Sequence, residues 1–490
     1  METAISEMQA RPATENMSRL AAEADVRSVV IDSREARSGD VFFALSQPEY
    51  ANNGFNGDFA DSTKFVADAL RAGAIAAVVR PDRYEEWKKE LEPFRDRLIF
   101  SEDVIRALQR LAAAVYRQWD KPIVGITGSA GKTTAKEITS TILECAGKRI
   151  LKNQKNYNNG IGHPLTVLRL IKEGPYDMAV LEMAMSTPMH EIARLCEITP
   201  PDIAVVLTVL PVHIEHLGTI EAIAAAKQEI VEGMKPNGTA ILNADDFRVA
   251  AMEKAAKGEV ITFGIEKDAD IMASEIVGSG FGKTKFNLHL KGETREVEFP
   301  LNGRHNVMNA LAASAAAYKL GLEAKAIADG LRHVKPPYQR GEAIYLNNNI
   351  IVVNDSYNSN PESLVKMAEM FCEAARDSKR KILVAGEMLE LGNYAEQMHK
   401  QAGEKLAALP IDVLIGVRGN AKLICEAAQS HGIKQIEFTD DSKTAAELLT
   451  NLVEEGDAVL VKGSRGVQTE IVVERLVQKF GNKDPKTLSN

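Results

Sequence analysis

The stretch Gly125-Ile126-Thr127-Gly128-Ser129-Ala130-Gly131-Lys132-Thr133-Thr134 constrains the fold of this chain more than any other segment. An apolar run through Ile123 and Val124 leads into it, and Ile138, Ile142 and Leu143 follow at helical spacing. Strand, glycine-rich loop, helix is the order that turns backbone N–H groups inward and aims the positive end of a helix at anionic oxygens. Gly128, Ser129, Ala130, Gly131, Lys132, Thr133 and Thr134 are therefore candidate phosphate-binding residues. Lys132 is placed to reach terminal phosphates, and the Thr133 hydroxyl stands where a Mg2+ ion would be held. The ligand this implies is ATP. One position departs from the usual spacing, which wants a glycine where Ile126 stands.

At 490 residues the chain is too long for one hydrophobic core, and roughly two to four domains are expected. The net charge of -9, with no basic run, argues against a general nucleic-acid binder. Any anionic substrate must be met by local cations. Cys145, Cys196, Cys372 and Cys425 form no Cys-x-x-Cys pair, so the expectation is four buried thiols in a reducing cytosol. The first twenty residues lack an apolar core segment, and no run approaches the ~20 apolar residues of a membrane span. A cytoplasmic location with no membrane span is expected.

Residues 26–101 read as a small α/β unit, with strands at Val29–Ile31, Val41–Leu45 and Ala76–Val79 and a helix from Phe65 to Ala72. The Asn-, Gly- and Asp-rich stretch from Gln47 to Ser62 reads as a long loop. From Lys121 onward, apolar strands at Met178–Leu181, Ile203–Leu207, Thr239–Leu242 and Val260–Phe263 alternate with helices, which argues a mostly parallel sheet covered on both faces. Phe286, Leu288, Leu290, Val297 and Phe299 alternate with polar residues, the pattern of a small antiparallel hairpin. A helix is expected from Asn306 to Leu320. After Lys335-Pro336-Pro337, strands at Ile350–Val353, Ile382–Ala385, Val413–Ile415 and Ala458–Val461 announce another parallel α/β domain with a dinucleotide-fold rhythm. The expected architecture is α/β in three domains: residues 1–101, a central phosphate-loop domain at 102–335, and a Rossmann-like domain at 336–490.

Several polar residues fall at strand ends, where open α/β sheets place ligands. Glu182 follows the apolar run Met178–Leu181, and His213 follows the apolar run Ala204–Leu210. Read alone, Lys227 in its alanine-rich helix is a solvated lysine, and Asn306 is a helix N-cap with Asn309 facing the same side one turn later.

In order, the glycine-rich loop, Glu182, His213-Ile214-Glu215-His216-Leu217-Gly218, Lys227, His305-Asn306-x-x-Asn309, Arg340 and Asp355 closely resemble the Mur ligase family over nearly the whole chain. That family consists of ATP-dependent amide-bond synthetases of bacterial cell-wall precursor synthesis, and its shortened glycine pattern accommodates Ile126. Asp355-Ser356-Tyr357-Asn358-Ser359-Asn360-Pro361, Asn156-Tyr157-Asn158-Asn159-x-Ile161-Gly162-x-Pro164 and Gly386-Glu387-Met388-Leu389-Glu390-Leu391-Gly392 are similar to the branch that adds D-alanyl-D-alanine to UDP-N-acetylmuramoyl-tripeptide. No Asp-Asn-Pro-Arg tetrapeptide, the mark of the diaminopimelate-adding branch, occurs.

What the resemblance implies is specific. The loop and Lys132 would hold the β- and γ-phosphates, with Thr133 and Glu182 on one Mg2+ and His213 on a second. Lys227 would be carbamylated by CO2. Asn306 and Asn309 would meet the adenine end of ATP, and Arg340 and Asp355 its phosphate and ribose, arriving from the third domain as the domains close. Lys132, His213, Lys227 and Arg340 would be the catalytic set. Ser33, Arg34, Asn158, Asn159, Tyr357, Asn358 and Asn360 would contact the UDP-tripeptide or the dipeptide, the enzyme acting as a monomer. The region after Phe42-Phe43-Ala44-Leu45 departs from the family pattern, since Ser46 begins a longer stretch and Asp61-Ser62-Thr63-Lys64-Phe65 replaces a histidine-bearing turn. Two rival readings are a ligase of the same fold with another amine substrate and a nucleotide-binding protein that has lost the chemistry.

Overall fold

The computed structural model describes residues 1–55, 60–154, 156–185, 189–211, 218–278, 281, 283–335, 339–433 and 435–482. It divides into two compact units, Met1–Ile271 with Ala312–Glu323 and Met272–Leu311 with Ala324–Asn490. The architecture is α/β with three sheets.

The first unit opens with a sheet ordered β1-β5-β4-β3-β2, from β1 (Arg11–Pro12), β2 (Ser28–Val30), β3 (Asp40–Phe43), β4 (Ala76–Val79) and β5 (Leu98–Phe100). All neighbours are parallel except β1 and β5. Every residue of β3 and β4 is buried, as strands covered on both faces must be. The amino-terminal residues, on which the sequence was silent, contribute β1 and the helix Glu15–Glu23, capped by Thr14. A two-residue strand carries no readable period.

The expected loop from Gln47 to Ser62 is a finding of a different kind. Its first part is a helix, Gln47–Asn52, closed by a capping box in which Ser46 and Glu49 bond each other. Ser46-Gln47-Pro48-Glu49 is the Ser-x-x-Glu signature of a helix start, and the polar composition around it masked the signal. The buried Glu49 carboxylate accepts from Ser46 N at 2.8 Å and Ser46 Oγ at 3.1 Å. It also accepts from Val104 N, which opens the long helix Val104–Trp119.

The second sheet of this unit contains β6 (Ile123–Thr127), β7 (Ile150–Lys152), β8 (Met178–Glu182), β9 (Ile203–Val206), β10 (Thr239–Asn243) and β11 (Glu259–Gly264), in the order β11-β10-β9-β6-β8-β7. All pairs are parallel. From β6 the chain goes to one side for β7 and β8, then crosses for β9 to β11, so the carboxyl end of β6 is the topological switch point where such sheets bind ligands. Ile126 is a buried strand residue. Gly125 serves packing: a Cβ there would meet Pro201 at 2.9 Å and Ile230 at 3.2 Å, so its absence lets the helix Ile220–Glu232 lie close against β6.

The second unit contains a meander of β12 (Ile271–Gly278), β13 (Thr284–Leu290) and β14 (Glu293–Phe299), where a two-stranded hairpin was expected. Phe286, Leu288, Leu290, Val297 and Phe299 form its buried face. The last sheet runs β15-β16-β20-β17-β18-β19, from β15 (Glu342–Tyr345), β16 (Ile351–Asp355), β17 (Lys381–Gly386), β18 (Val413–Val417), β19 (Gln435–Thr439) and β20 (Ala458–Lys462). Only β15 is antiparallel. With β20 seated between β16 and β17, the loops that follow these three strands leave the sheet at one carboxyl edge.

Two further expectations are corrected. Cys145 is exposed, while the other three thiols are buried. The helix expected to begin at Asn306 begins at Arg304, so Asn306 lies inside its first turn, with its side-chain amide donating to Asn302 O at 2.8 Å; Asn306 is not the N-cap. Pro336 and Pro337 lie outside the described residues. Among the described residues no helix is long and apolar enough to cross a membrane.

Candidate functional site

The phosphate loop leaves β6 and turns into the helix Lys132–Cys145 at Gly131, whose φ of 82° is left-handed and suits glycine. The loop is tied to the segment after β9. Ser129 N donates to Thr208 O at 2.8 Å. Ser129 Oγ donates to Leu210 O at 3.2 Å and accepts from Leu210 N at 2.9 Å. Asp246, unremarked in the sequence, fixes that segment in turn by accepting from Thr208 Oγ1 and Val209 N at 3.0 and 2.7 Å. The Lys132 ammonium lies over the loop and donates to Gly128 O at 2.9 Å. A left-handed glycine turn, a helix start and a cation thus stand together at the carboxyl end of β6, an arrangement suited to a polyphosphate.

Next to it is an oxygen site. Thr133 Oγ1 donates to Glu182 Oε2 at 2.9 Å, and Asn158 Nδ2 donates to the other carboxylate oxygen at 2.8 Å. Glu182 is the last residue of β8, as its place in the sequence suggested. Its own N–H donates to Asn153 Oδ1 at 2.6 Å, and the buried Lys136 ammonium donates to Asn153 O at 2.8 Å. Asn153 and Lys136 were missed in the sequence. Asn153 stands just past a three-residue strand too short to announce itself. One carboxylate and one hydroxyl beside a phosphate cradle suit Mg2+, which binds few protein oxygens and takes the rest from phosphate and water. Among the described residues no cluster of three His, Cys, Asp or Glu side chains forms an all-protein metal cage.

Lys227 overturns its own sequence reading. It is only 4% exposed, on the inner face of the helix Ile220–Glu232, and not a solvated lysine. Burial pushes its ammonium down to about 7, and the positive charge of Lys132 pushes the same way. Among the described residues no carboxylate pairs with it. An amine that is neutral in part at neutral pH is therefore held beside the phosphate loop. His213, the expected ligand of a second metal ion, lies outside the described residues.

The amino-terminal candidates sit at the end of β2. Asp32 caps the short turn Ser33–Glu35 and binds the Arg34 guanidinium at 2.6 Å, and those hydrogen bonds hold the carboxyl down at about 2. Arg34 itself is 87% exposed, and its guanidinium is engaged on both Asp32 oxygens through Nε and Nη2. Asn159 Oδ1 accepts from Ile161 N and Gly162 N, at 3.2 and 2.9 Å, and is occupied in shaping its own turn.

The second unit gathers a different group. Asp355 ends β16 and forms a 2.6 Å ion pair with Lys462, which ends β20. Lys462 also donates to Asn358 O at 2.8 Å. The Arg340 guanidinium lies 4.2 Å from the centre of the Tyr357 ring. Asn360 caps the helix Pro361–Ala374 through Ser363 N at 2.9 Å. Asn309 is buried. A recess in this unit is lined by Phe281, Asn302, Asn306, Arg340, Met367 and Phe371, apolar surface with amide and guanidinium groups at its edge.

Comparison with known proteins gives this geometry a context. Residues 126–317 match the Mur ligase middle domain, and residues 339–465 match the Mur ligase, glutamate ligase domain. Among curated proteins the chain is similar to the UDP-N-acetylmuramoyl-tripeptide–D-alanyl-D-alanine ligase of Synechocystis sp., 34% identical with 94% of each chain covered. It is also similar to the ligase of that name from Escherichia coli, 34% identical over 94% of this chain and 95% of the relative. Among solved structures it resembles MurF from Acinetobacter baumannii, with a TM-score of 0.81, 28% identity, and 96% of this chain and 99% of the other covered. MurF ligase from Thermotoga maritima in complex with ADP gives a TM-score of 0.75 at 29% identity, covering 93% and 98%.

Proposed function

The chain belongs to the Mur ligase family, and from that premise we propose that it joins D-alanyl-D-alanine to UDP-N-acetylmuramoyl-tripeptide at the expense of ATP, in peptidoglycan precursor synthesis. The observation that carries this reading is the group at the carboxyl ends of β6 and β8: Lys132 over the turn at Gly131, with Thr133 Oγ1 2.9 Å from Glu182.

A carboxylate oxygen is a poor leaving group, so amide formation needs activation. A carboxylate oxygen of the tripeptide attacks the γ-phosphorus of ATP, the bond to the bridging oxygen breaks, and ADP leaves. The amine of the dipeptide then attacks the acyl carbon, the C–O bond to phosphate breaks, and the amine gives up a proton as phosphate departs. The residues act by positioning and charge neutralisation. Gly128 to Thr134 cradle the polyphosphate, and Lys132 follows the charge that builds on the transferred group. Thr133 and Glu182 would hold a magnesium ion, which would supply positive charge against the phosphates, with Asn158 fixing the carboxylate's second oxygen.

Lys227 supports a further element of this reading. A buried amine with a substantial neutral fraction can add to CO2: an N–C bond forms, a proton is released, and the side chain becomes an anionic carbamate. That converts an isolated cation-forming group beside Lys132 into a counter-charge for it and for metal ions. His213 would serve a second Mg2+. Asn306, Asn309, Arg340 and Asp355 are proposed ATP contacts. Ser33 and Arg34 are proposed for the UDP-sugar, with Asn158 and Asn159 on the peptidyl side and Tyr357, Asn358 and Asn360 for the dipeptide. The proposed division is residues 1–101 for the UDP-sugar, 102–335 for ATP and 336–490 for the dipeptide, in a cytoplasmic, monomeric enzyme.

The test is phosphate release from ATP with UDP-N-acetylmuramoyl-tripeptide present and D-alanyl-D-alanine added or withheld. Release that depends on the dipeptide, with pentapeptide product seen by mass spectrometry, is the expected result. Absence of release in both arms would return the chain to a binding-only role.

A further inference from the structure

The segment after β16, Asp355 to Asn360, is short and polar, and something must give it one shape. Its own side chains do part of this, since Ser356 Oγ bonds Asn354 Oδ1 at 2.7 Å and Asn358 Oδ1 accepts from Ser359 N at 2.8 Å. The rest comes from the neighbouring strand. Asp355 and Lys462 are register partners at the ends of β16 and β20. Lys462 is only 3% exposed, and two of its three N–H directions are spent on this segment, 2.6 Å to Asp355 Oδ2 and 2.8 Å to Asn358 O. Two residues on, Ser464 Oγ donates to Ser359 O at 3.3 Å and accepts from Leu389 N, in the loop after β17, at 3.0 Å. Two successive carbonyls, Asn358 O and Ser359 O, are thus held by Lys462 and Ser464. Gly463 between them has no room for a side chain, because a Cβ would stand 2.8 Å from Thr469 Oγ1.

We propose that Lys462, assisted by Ser464, is the positioning residue for the amine substrate: it sets the backbone of residues 355–360 and so determines affinity for the dipeptide without touching the reacting atoms. This rests on the reading of Tyr357 to Asn360 as the dipeptide's segment. A buried ammonium suits the task. It is anchored by a buried carboxylate, and a second N–H reaches a backbone carbonyl that no short neutral side chain could reach from the same strand. A shift of about 1 Å in a substrate-positioning segment costs up to roughly 10²-fold.

The experiment compares wild type, Lys462→Met and Ser464→Ala in steady-state ligation, with hydrogen exchange of residues 355–360 read in parallel. Lys462→Met should raise the KM for D-alanyl-D-alanine on the order of tenfold or more while the KM for UDP-tripeptide moves by less than about twofold. Exchange should rise within 355–360 and not in β17 or β18. Ser464→Ala keeps the ion pair, and with it the fold, and should show the same selectivity at a smaller size. If both variants fold and keep the wild-type KM for the dipeptide, or if the KM for UDP-tripeptide rises as much as that for the dipeptide, the proposal is overturned; a change in the KM for ATP is expected in Lys462→Met alone, through Asp355. Failure of the functional reading looks different. Wild type would then ignore D-alanyl-D-alanine and use another amine, and the variants' selective loss for that amine, with the same exchange pattern, would support the role of Lys462.

Discussion

Two buried lysines, one in each unit, end up with opposite characters. Lys227 lies beside the phosphate loop with no described carboxylate against it, and burial together with Lys132 brings it down to about 7. Lys462 is equally enclosed but meets Asp355 at 2.6 Å and a backbone carbonyl at 2.8 Å, so its charge is paid for by its partners. Desolvation alone pushes an amine towards its neutral, reactive form; desolvation beside a carboxylate ties it into an ion pair. The first arrangement stores chemistry and the second stores geometry. In the functional reading, one lysine is available for modification and the other shapes a substrate segment.

The sharpest way to break this comparison is to remove the charge that presses on Lys227. Lys132→Ala should lower ligation on the order of 10²-fold or more, because a charge-assisted phosphate contact is lost where negative charge develops. It should also let the Lys227 amine titrate higher, without returning it to the ordinary lysine range, since burial is the larger cause. Turnover near the wild-type value at saturating ATP would remove Lys132 from the phosphate site. Lysine-selective NMR of the variant checks the second half.

Lys227→Met tests the other member of the pair, and stability and activity should move in opposite directions. Its folded-state value lies below its unfolded one, so between about 7 and the ordinary lysine range the unfolded chain binds more protons. The lysine therefore costs stability in full below about 7, and the cost fades as pH rises towards the unfolded value. In CO2-depleted buffer at pH 7 the methionine variant should be more stable than wild type by on the order of a few kcal/mol, and nearly inactive. Small carboxylates such as acetate should restore part of the activity of Lys227→Ala by occupying the anionic position. Unchanged activity of either variant would reduce Lys227 to a packing residue.

These two lysines also mark where the sequence could be read and where it could not. The loop, Glu182 at the end of β8 and the strand rhythm on both sides were legible because each has a local period or a fixed spacing. Lys227 was not, since Ala222-Ile223-Ala224-Ala225-Ala226 is apolar on several sides of the helix and does not say which face β6 will cover. Its assignment came from resemblance, and the burial supplies a physical reason for it. Asp246, Asn153 and Lys136 act by holding loops, and nothing in their neighbourhood signals a contact to a segment some tens of residues away. Lys462 belongs with them: its pairing with Asp355 spans 107 positions and follows only from β20 lying beside β16. Glu49 failed for the opposite reason, a local signal hidden by polar composition.

Glu49 supplies the smallest effect and an intermediate case. It is a buried carboxylate with three hydrogen-bond donors, the Ser46 N–H and hydroxyl and the Val104 N–H, and among the described residues it forms no ion pair. Burial pushes it up to about 7, Asp103 pushes the same way, and the hydrogen bonds oppose them. Its folded-state value lies above its unfolded one, so the stability tied to its proton is complete below the usual glutamate range. That contribution is lost as pH rises through about 7. Glu49→Gln keeps the shape but offers one acceptor oxygen where two are used, which leaves a buried N–H poorly satisfied and should cost about 1–3 kcal/mol near pH 5. Gln does not ionise, so the variant has no charge to bury at pH 8, and its deficit against wild type should shrink there. Thermal unfolding of both proteins from pH 5 to pH 8 reads this directly. A deficit that stays constant across the range would mean that hydrogen bonding alone keeps Glu49 ionised, and that a buried group needs no opposite charge to escape the fate of Lys227.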